Sequence, residues 1–316
     1  MKKTGYVHDL RYLLHDTGPY HPEMSERLIA IHEGLRKANL LEQLTIIPAS
    51  RADLKWILAV HDHDYVRRFE EVSLSGNHYF DDQDNQICVE TYETAFLAVG
   101  GILDAVQMMM DQKIDNAFCA IRPPGHHAEV DKAMGFCYFN NIAIAARYLQ
   151  SECGIERVGI VDFDVHHGNG TEHIFQSDPS VFYYSIHEHP SFAYPGTGRA
   201  FDEGTLKGFG FTKNSPVLPG RGDDNYKSLI TRDLLPAFER FKPEIILVST
   251  GFDAHVGDEM SDMNLTTEGF SWIMETIMAL ANHHAQGRVV SILEGGYSLK
   301  LLPELAANHV SILLKG

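Results

Sequence analysis

The chain has 316 residues, 44% of them hydrophobic and 22% charged, which is ordinary for a soluble globular protein with a large core. Its formal net charge of −17 argues against nucleic acid as a direct partner, because phosphates reward clustered Lys and Arg, and is compatible with cationic substrates. The N-terminus, Met1-Lys2-Lys3-Thr4, lacks the apolar core of a signal peptide, and no apolar run approaches the ~20 residues that span a bilayer, so a cytoplasmic protein with no membrane partner is expected.

In chain order, strand-like apolar runs fall near residues 4–8, 44–48, 117–121, 157–162, 180–186, 244–250 and 288–293. Helical patterns lie between them. One covers residues 89–110, with Phe96, Val99, Leu103 and Val106 on its buried stripe, and ends on Met108, Met109 and Met110 as core filling. A second runs over 141–149, and a third over 225–241 with Tyr226, Leu229, Ile230, Leu234 and Phe238 on one face. Strand–helix alternation of this kind predicts one α/β domain over residues 1–316, a parallel β-sheet sandwiched between helices. Residues 73–87 and 187–224 are rich in turn formers and read as loops with work to do. Cys88, Cys119, Cys137 and Cys153 show no close pairing and read as free thiols.

Four polar clusters each follow a strand-like run, where open α/β sheets place their ligands. They are Arg122-Pro123-Pro124-Gly125-His126-His127-Ala128, then Asp162-Phe163-Asp164-Val165-His166-His167-Gly168-Asn169-Gly170, then Ser249-Thr250-Gly251-Phe252-Asp253-Ala254-His255, and finally Leu293-Glu294-Gly295-Gly296-Tyr297. Pro123 and Pro124 forbid a helix at the first junction. In the second, an extended chain projects Asp162, Asp164 and His166 to one side, because side chains alternate with period two. Two carboxylates and an imidazole converging in this way read as a site for a divalent metal of the zinc or iron type.

These motifs, with His21-Pro22-Glu23 and Arg27 upstream, resemble the arginase–deacetylase fold and, within it, the zinc-dependent histone deacetylase family, in spellings closer to class II and bacterial deacetylase-like amidohydrolases than to class I. The resemblance implies a hydrolase that removes acetyl or other short acyl groups from acyl-lysine peptides or small acylated amines, with Zn2+ or Fe2+ held by Asp164, His166 and Asp253. It implies His127 as general base and acid, His126 as its electrostatic partner, Asp162 behind His126, and Tyr297 as donor to the oxyanion. Asn169 falls where class I enzymes carry an Asp behind the second His, which leaves His127 less basic than a carboxylate would.

By the same resemblance, Gly135, Phe136, Tyr194 and Met260 line the acyl-lysine tunnel and Arg27 lines an acetate channel. A structural K+ takes Asp162, Asp164, His166, Ser185 and Ile186, and a second cation takes Phe175, Asp178, Val181 and Phe211. His187, His189 and His255 match no ligand role. Three other readings carry less. An arginase-type ureohydrolase needs a second Asp where His255 stands, and a non-catalytic acyl-lysine reader would have lost a ligand or the Tyr. An acetylpolyamine amidohydrolase expects an acidic residue at the tunnel mouth, where Met260 falls with Glu259 beside it. The sequence leaves the oligomeric state open.

Overall fold

The computed structural model describes residues 2–316. Its centre is an eight-stranded sheet made of β1 (Thr4–Val7), β2 (Leu44–Ile47), β5 (Asn116–Cys119), β6 (Val158–Asp162), β7 (Val181–Glu188), β8 (Thr212–Val217), β9 (Ile245–Thr250) and β10 (Val289–Leu293). A small antiparallel hairpin, β3 (Tyr79–Phe80) and β4 (Asp82–Gln86), stands apart from it. The helices are α1 (Glu26–Lys37), α2 (Leu54–Ile57), α3 (His63–Leu74), α4 (Thr91–Met110), α5 (Asn141–Glu152), α6 (Asn169–Phe175), α7 (Asp223–Leu229), α8 (Leu235–Phe241), α9 (Thr267–His284) and α10 (Leu302–Lys315).

Strand order is β2-β1-β5-β10-β9-β6-β7-β8, and every ladder in this sheet is parallel. Residues of β5, β6, β9 and β10 are buried along their whole length, as expected when helices cover both faces of a sheet. Helices α1, α9 and α10 pack together, as do α4 and α5, and the sheet lies between the two groups. Helix starts follow local chemistry. Thr266 caps α9 by accepting from the Gly269 N–H at 3.1 Å, and Asn140 caps α5 by accepting from Ala143 at 3.1 Å.

The topology explains why motifs far apart in sequence meet. Strands β5, β10, β9 and β6 are consecutive in the sheet although their order in the chain is different. Their ends are also level: Ile292 pairs with Cys119 and Ser249, Leu293 with Thr250, and Asp162 with Ser249. The four polar clusters therefore leave one edge of the sheet side by side.

Several expectations need correction. Residues 73–87 are not a loop: α3 runs to Leu74, and the rest carries the hairpin, turned at Asp81 with φ of 61°. The segment 187–224 contains the end of β7 and all of β8. Strand β8 escaped notice because it is polar and holds Pro216, which a sheet tolerates on an outermost strand. The third helix begins at Asp223 and passes through one π-type turn, Ile230–Leu234, before Pro236 opens α8. Helix α4 is, at 20 residues, long and apolar enough to match a membrane span, contrary to expectation, but most of it is buried among the other elements. All four cysteines are free; Cys119 and Cys137 are buried, whereas Cys88 and Cys153 are half-buried.

Candidate active site

The foot of the site forms where β6 and β9 end. Asp164, His166 and Asp253 converge, with His166 Nδ1 at 3.0 Å from Asp164 Oδ1 and 3.3 Å from Asp253 Oδ2. Such separations are close to the edge of a tetrahedron around an ion with ~2.0 Å bonds to N and O ligands. Backbone donors aim the carboxylates: Val165 N–H to Asp253 Oδ1 at 3.0 Å, His166 N–H to Asp164 Oδ1 at 2.8 Å, and Gly295 N–H to Asp164 Oδ2 at 2.8 Å. Asp253 Oδ2 is buried and has no hydrogen-bond partner, a costly state for a carboxylate oxygen that a cation at this point would relieve. Burial and the neighbouring Asp164 raise the Asp253 carboxyl above its ordinary range. The donor set and the orphaned oxygen fit a divalent ion of the expected kind.

Two glycines permit this crowding. A Cβ on Gly295 would lie 2.0 Å from Asp253 Oδ2, and one on Gly251 would lie 2.2 Å from Asp164 Oδ2. Any side chain at either position would displace a ligand. The Glu-Gly-Gly-Tyr and Thr-Gly-Phe-Asp spellings thus carry a steric requirement that the sequence reading passed over.

His126 and His127 lie beside this cluster with ring centroids 4.0 Å apart. His126 Nδ1 donates to Asp162 Oδ2 at 3.0 Å, and the Tyr183 hydroxyl donates to the same oxygen at 3.0 Å. Burial opposes charge on His126, but the carboxylates of Asp162, Asp164 and Glu294 outweigh it and push the group up to about 10. His127 Nδ1 is 2.8 Å from Asn169 Oδ1. Burial, together with the cationic tendency of His126 and His166, drives His127 well below the ordinary imidazole range. Two adjacent histidines are thereby pushed in opposite directions, an arrangement typical of acid–base sites.

The Tyr297 turn is fixed from two sides. Asp258 Oδ2 accepts from the N–H groups of Tyr297 at 2.7 Å and Ser298 at 2.9 Å. Arg27, fully buried, donates to Gly296 O at 2.7 Å and Glu294 O at 2.5 Å, is paired with Glu23 at 3.0 Å, and lies 4.9 Å from the Tyr297 ring centre. The structure thus shows Arg27 bracing this turn. Glu294 ties three strand ends together, accepting from Gly125 N–H at 2.7 Å, His126 N–H at 3.2 Å and the Ser249 hydroxyl at 3.0 Å. Sequence reasoning assigned no role to Asp258 or Glu294. No local pattern marks either, because the groups each accepts from lie far away in the sequence.

A cavity of about 160 Å³ opens onto this foot. His126, His127, His166 and Tyr297 line it together with Gly135, Phe136, Tyr194 and Met260. Gly135 has φ of 53°, and a Cβ there would stand 2.4 Å from the His127 ring. Asp84, on β4, also lines the cavity, whereas Glu259 lines a neighbouring cavity of about 340 Å³ with Asp258. Of the residues expected around a monovalent cation, Asp162 ends β6 and pairs with Ser185 inside β7, where Ile186 follows, Asp164 and His166 lie just beyond β6, and the Ser185 hydroxyl pairs with His187 Nδ1 at 2.7 Å. Phe175, Asp178 and Val181 form the α6–β7 turn, where Asp178 pairs with Arg147 at 2.6 Å, and Phe211 reaches it from the start of β8 by accepting from Tyr183 N–H at 2.9 Å. His255 turns away, with Nδ1 accepting from Gly257 N–H at 3.0 Å and Nε2 at 3.2 Å from the Thr267 hydroxyl.

This arrangement has known counterparts. The profile of the histone deacetylase domain matches residues 21–313. The chain belongs to the histone deacetylase family. It is 40% identical over 299 residues to a probable deacetylase of Archaeoglobus fulgidus, covering 94% of this chain and 82% of that one. It is 39% identical over 282 residues to the histone deacetylase-like amidohydrolase of Pseudomonas aeruginosa, covering 89% and 73%. Its fold matches the crystal structure of the HDA15 HD domain with a TM-score of 0.93 and 34% identity, covering 100% of this chain and 90% of that one. The family and the Asp164–His166–Asp253 cluster together make the protein a metal-dependent hydrolase of the deacetylase type.

Proposed function

We propose that the protein hydrolyses the amide of an acetylated or otherwise short-acylated primary amine, with acyl-lysine in a peptide as the first substrate class. The observation that carries this reading is the placement of a three-ligand cluster at the foot of an aromatic-walled cavity, with His126, His127 and Tyr297 around it. Asp164, His166 and Asp253 would hold Zn2+ or Fe2+, and such an ion, when bound, activates water and polarises a carbonyl. His127, neutral and poorly basic in its buried position, takes a proton from the attacking water through Nε2 and returns it to the departing amine. His126, kept charged by Asp162, stabilises negative charge developing beside it. Tyr297 offers its hydroxyl to the oxyanion, a contribution worth ~3–4 kcal/mol in comparable sites. Phe136 and Tyr194 grip the methylene stem and exclude water.

One observation favours a second substrate class. Asp84 faces the same cavity as Met260, so the mouth offers a carboxylate as well as an apolar contact. A substrate with a second ammonium, such as an acetylated polyamine, would pair with it. The deciding experiment compares kcat/KM for acetyl-, trifluoroacetyl- and longer acyl-lysine peptides with that for acetylspermidine and acetylputrescine. Preference for the peptides, with inhibition by a hydroxamate, supports the first class. A wide preference for acetylpolyamines transfers the assignment to the second, and no hydrolysis of either sinks the reading.

A further inference from the structure

Asn169, behind His127, has two different ends, and its surroundings permit only one orientation. Its Oδ1 lies 2.8 Å from His127 Nδ1, while its Nδ2 donates to Glu129 Oε1 at 2.5 Å and to the His127 carbonyl at 3.3 Å. A carboxylate and a carbonyl oxygen only accept hydrogen bonds. Turning the amide over would set its oxygen 2.5 Å from the Glu129 carboxylate, so the nitrogen must face Glu129 and the oxygen must face the ring. An amide oxygen also only accepts, so the ring proton of neutral His127 must reside on Nδ1. Its Nε2 is then left with a free lone pair, the form a general base requires.

Glu129 is built for this task. It follows directly on His126-His127-Ala128, its own N–H donates to Lys132 O at 2.9 Å, and its side chain is only 17% exposed. His173, on α6, donates to the same Oε1 at 2.8 Å. A carboxylate accepting two hydrogen bonds polarises the amide between itself and the imidazole. The negative charge that a direct Asp–His pair would hold against the ring is here placed one residue further out.

We propose that Glu129 is a positioning residue for the hydrolysis, holding His127 through Asn169 in the tautomer that takes the proton from the attacking water. The assignment rests on the role given to His127 above. The test uses the full, metal-loaded chain with 15N-labelled histidine. In the wild type, His127 should show a protonated Nδ1 and a bare Nε2. Glu129→Leu should disturb that signature and lower kcat about tenfold or more with KM nearly unchanged, the size found for groups that orient a metal-bound imidazole from behind. Glu129→Gln, which keeps an acceptor, should recover most of the loss. In an Asn169→Asp background the ring proton already faces a carboxylate and the second carboxylate oxygen stands against Glu129, so Glu129→Leu should leave kcat unchanged or raise it. An unchanged kcat and an unchanged 15N signature in Glu129→Leu would overturn the proposal. So would an equal loss in both backgrounds, which is what a merely structural role produces. A wild type without hydrolase activity would strike the functional reading instead, and the 15N signature, which needs no turnover, would still decide the role of Glu129.

Discussion

The foot and the mouth of the cavity are made to different specifications. At the foot each polar group is aimed by others that have no freedom of their own: Asp164 by Gly295 and His166 N–H, Asp253 by Val165 N–H, His126 by Asp162, and Asp162 by Tyr183. Tyr183 lies inside β7 and the other groups follow strand ends of a buried, level sheet, so the geometry is set by the fold. At the mouth, Asp84 rides on a two-stranded hairpin outside the main sheet, and Met260 on a loop whose N–H donates to Asp258 at 3.1 Å. On the proposed function, the foot carries the chemistry, and the mouth, whose side chains can change without disturbing the sheet, selects the amine.

Removing a ligand at the foot should have the largest effect. Asp253→Ala leaves two protein ligands and should abolish both metal retention, read by elemental analysis, and hydrolysis. A fully active variant would mean that the foot is not the metal site. Next comes Tyr297→Phe, which keeps the ring and removes only the donor: kcat should fall ~100-fold or more, up to ~1,000-fold, with little change in thermal stability. An unchanged rate would show that the oxyanion is stabilised elsewhere.

Changes at the mouth should be smaller and should move substrate preference more than rate. Met260→Glu should shift kcat/KM towards acetylpolyamines by about tenfold, because an ion pair at a half-exposed position is worth ~1 kcal/mol or somewhat more. Asp84→Asn should shift it the other way by a smaller factor, since Asp84 is exposed. A loss of kcat on every substrate, without a change of preference, would remove the distinction between foot and mouth.

The smallest effect at neutral pH concerns the frame itself. Burial holds His15 down to about 3, His61 to about 4 and His309 to about 3, against an unfolded value near 6.5. Between about pH 6.5 and 4 the unfolded chain therefore binds more protons than the folded one, so stability falls as pH falls. The slope approaches ~1.4 kcal/mol per pH unit for each group. Chemical denaturation at pH 7.5 and pH 5 should show the loss at the lower pH. Equal stability would mean that these three are offset by groups pushed the other way, such as His126 and Asp253.

How much of this could be read from the sequence follows the same division. Asp162, Asp164, His166 and Asp253 were legible because each follows an apolar strand, and the sheet turns that adjacency into convergence. Strand β8 was not, because its Lys213, Asn214, Ser215 and Pro216 look like a loop until β7 pairs with them. The hairpin at 79–86 was hidden in the same way, behind Asp81, Asp82 and Asp84. Asp258, Glu129 and Glu294 act by accepting from atoms distant in sequence, including Tyr297 N–H, Asn169 Nδ2 and the Ser249 hydroxyl, and no local pattern marks that. Gly251 and Gly295 were visible as glycines, but the ligand oxygens that forbid a side chain there come from other strands.

On the proposed function, one divalent ion at Asp164, His166 and Asp253 makes this a deacylase. Titrating chelator-stripped protein with Zn2+ or Fe2+ while following hydrolysis of an acetyl-lysine peptide tests it most directly. Activity should be absent at the start, rise in proportion to added metal, and stop rising at one equivalent. Full activity in the stripped protein would mean that no metal is needed, and a rise that continues to a second equivalent would mean that one ion is not enough.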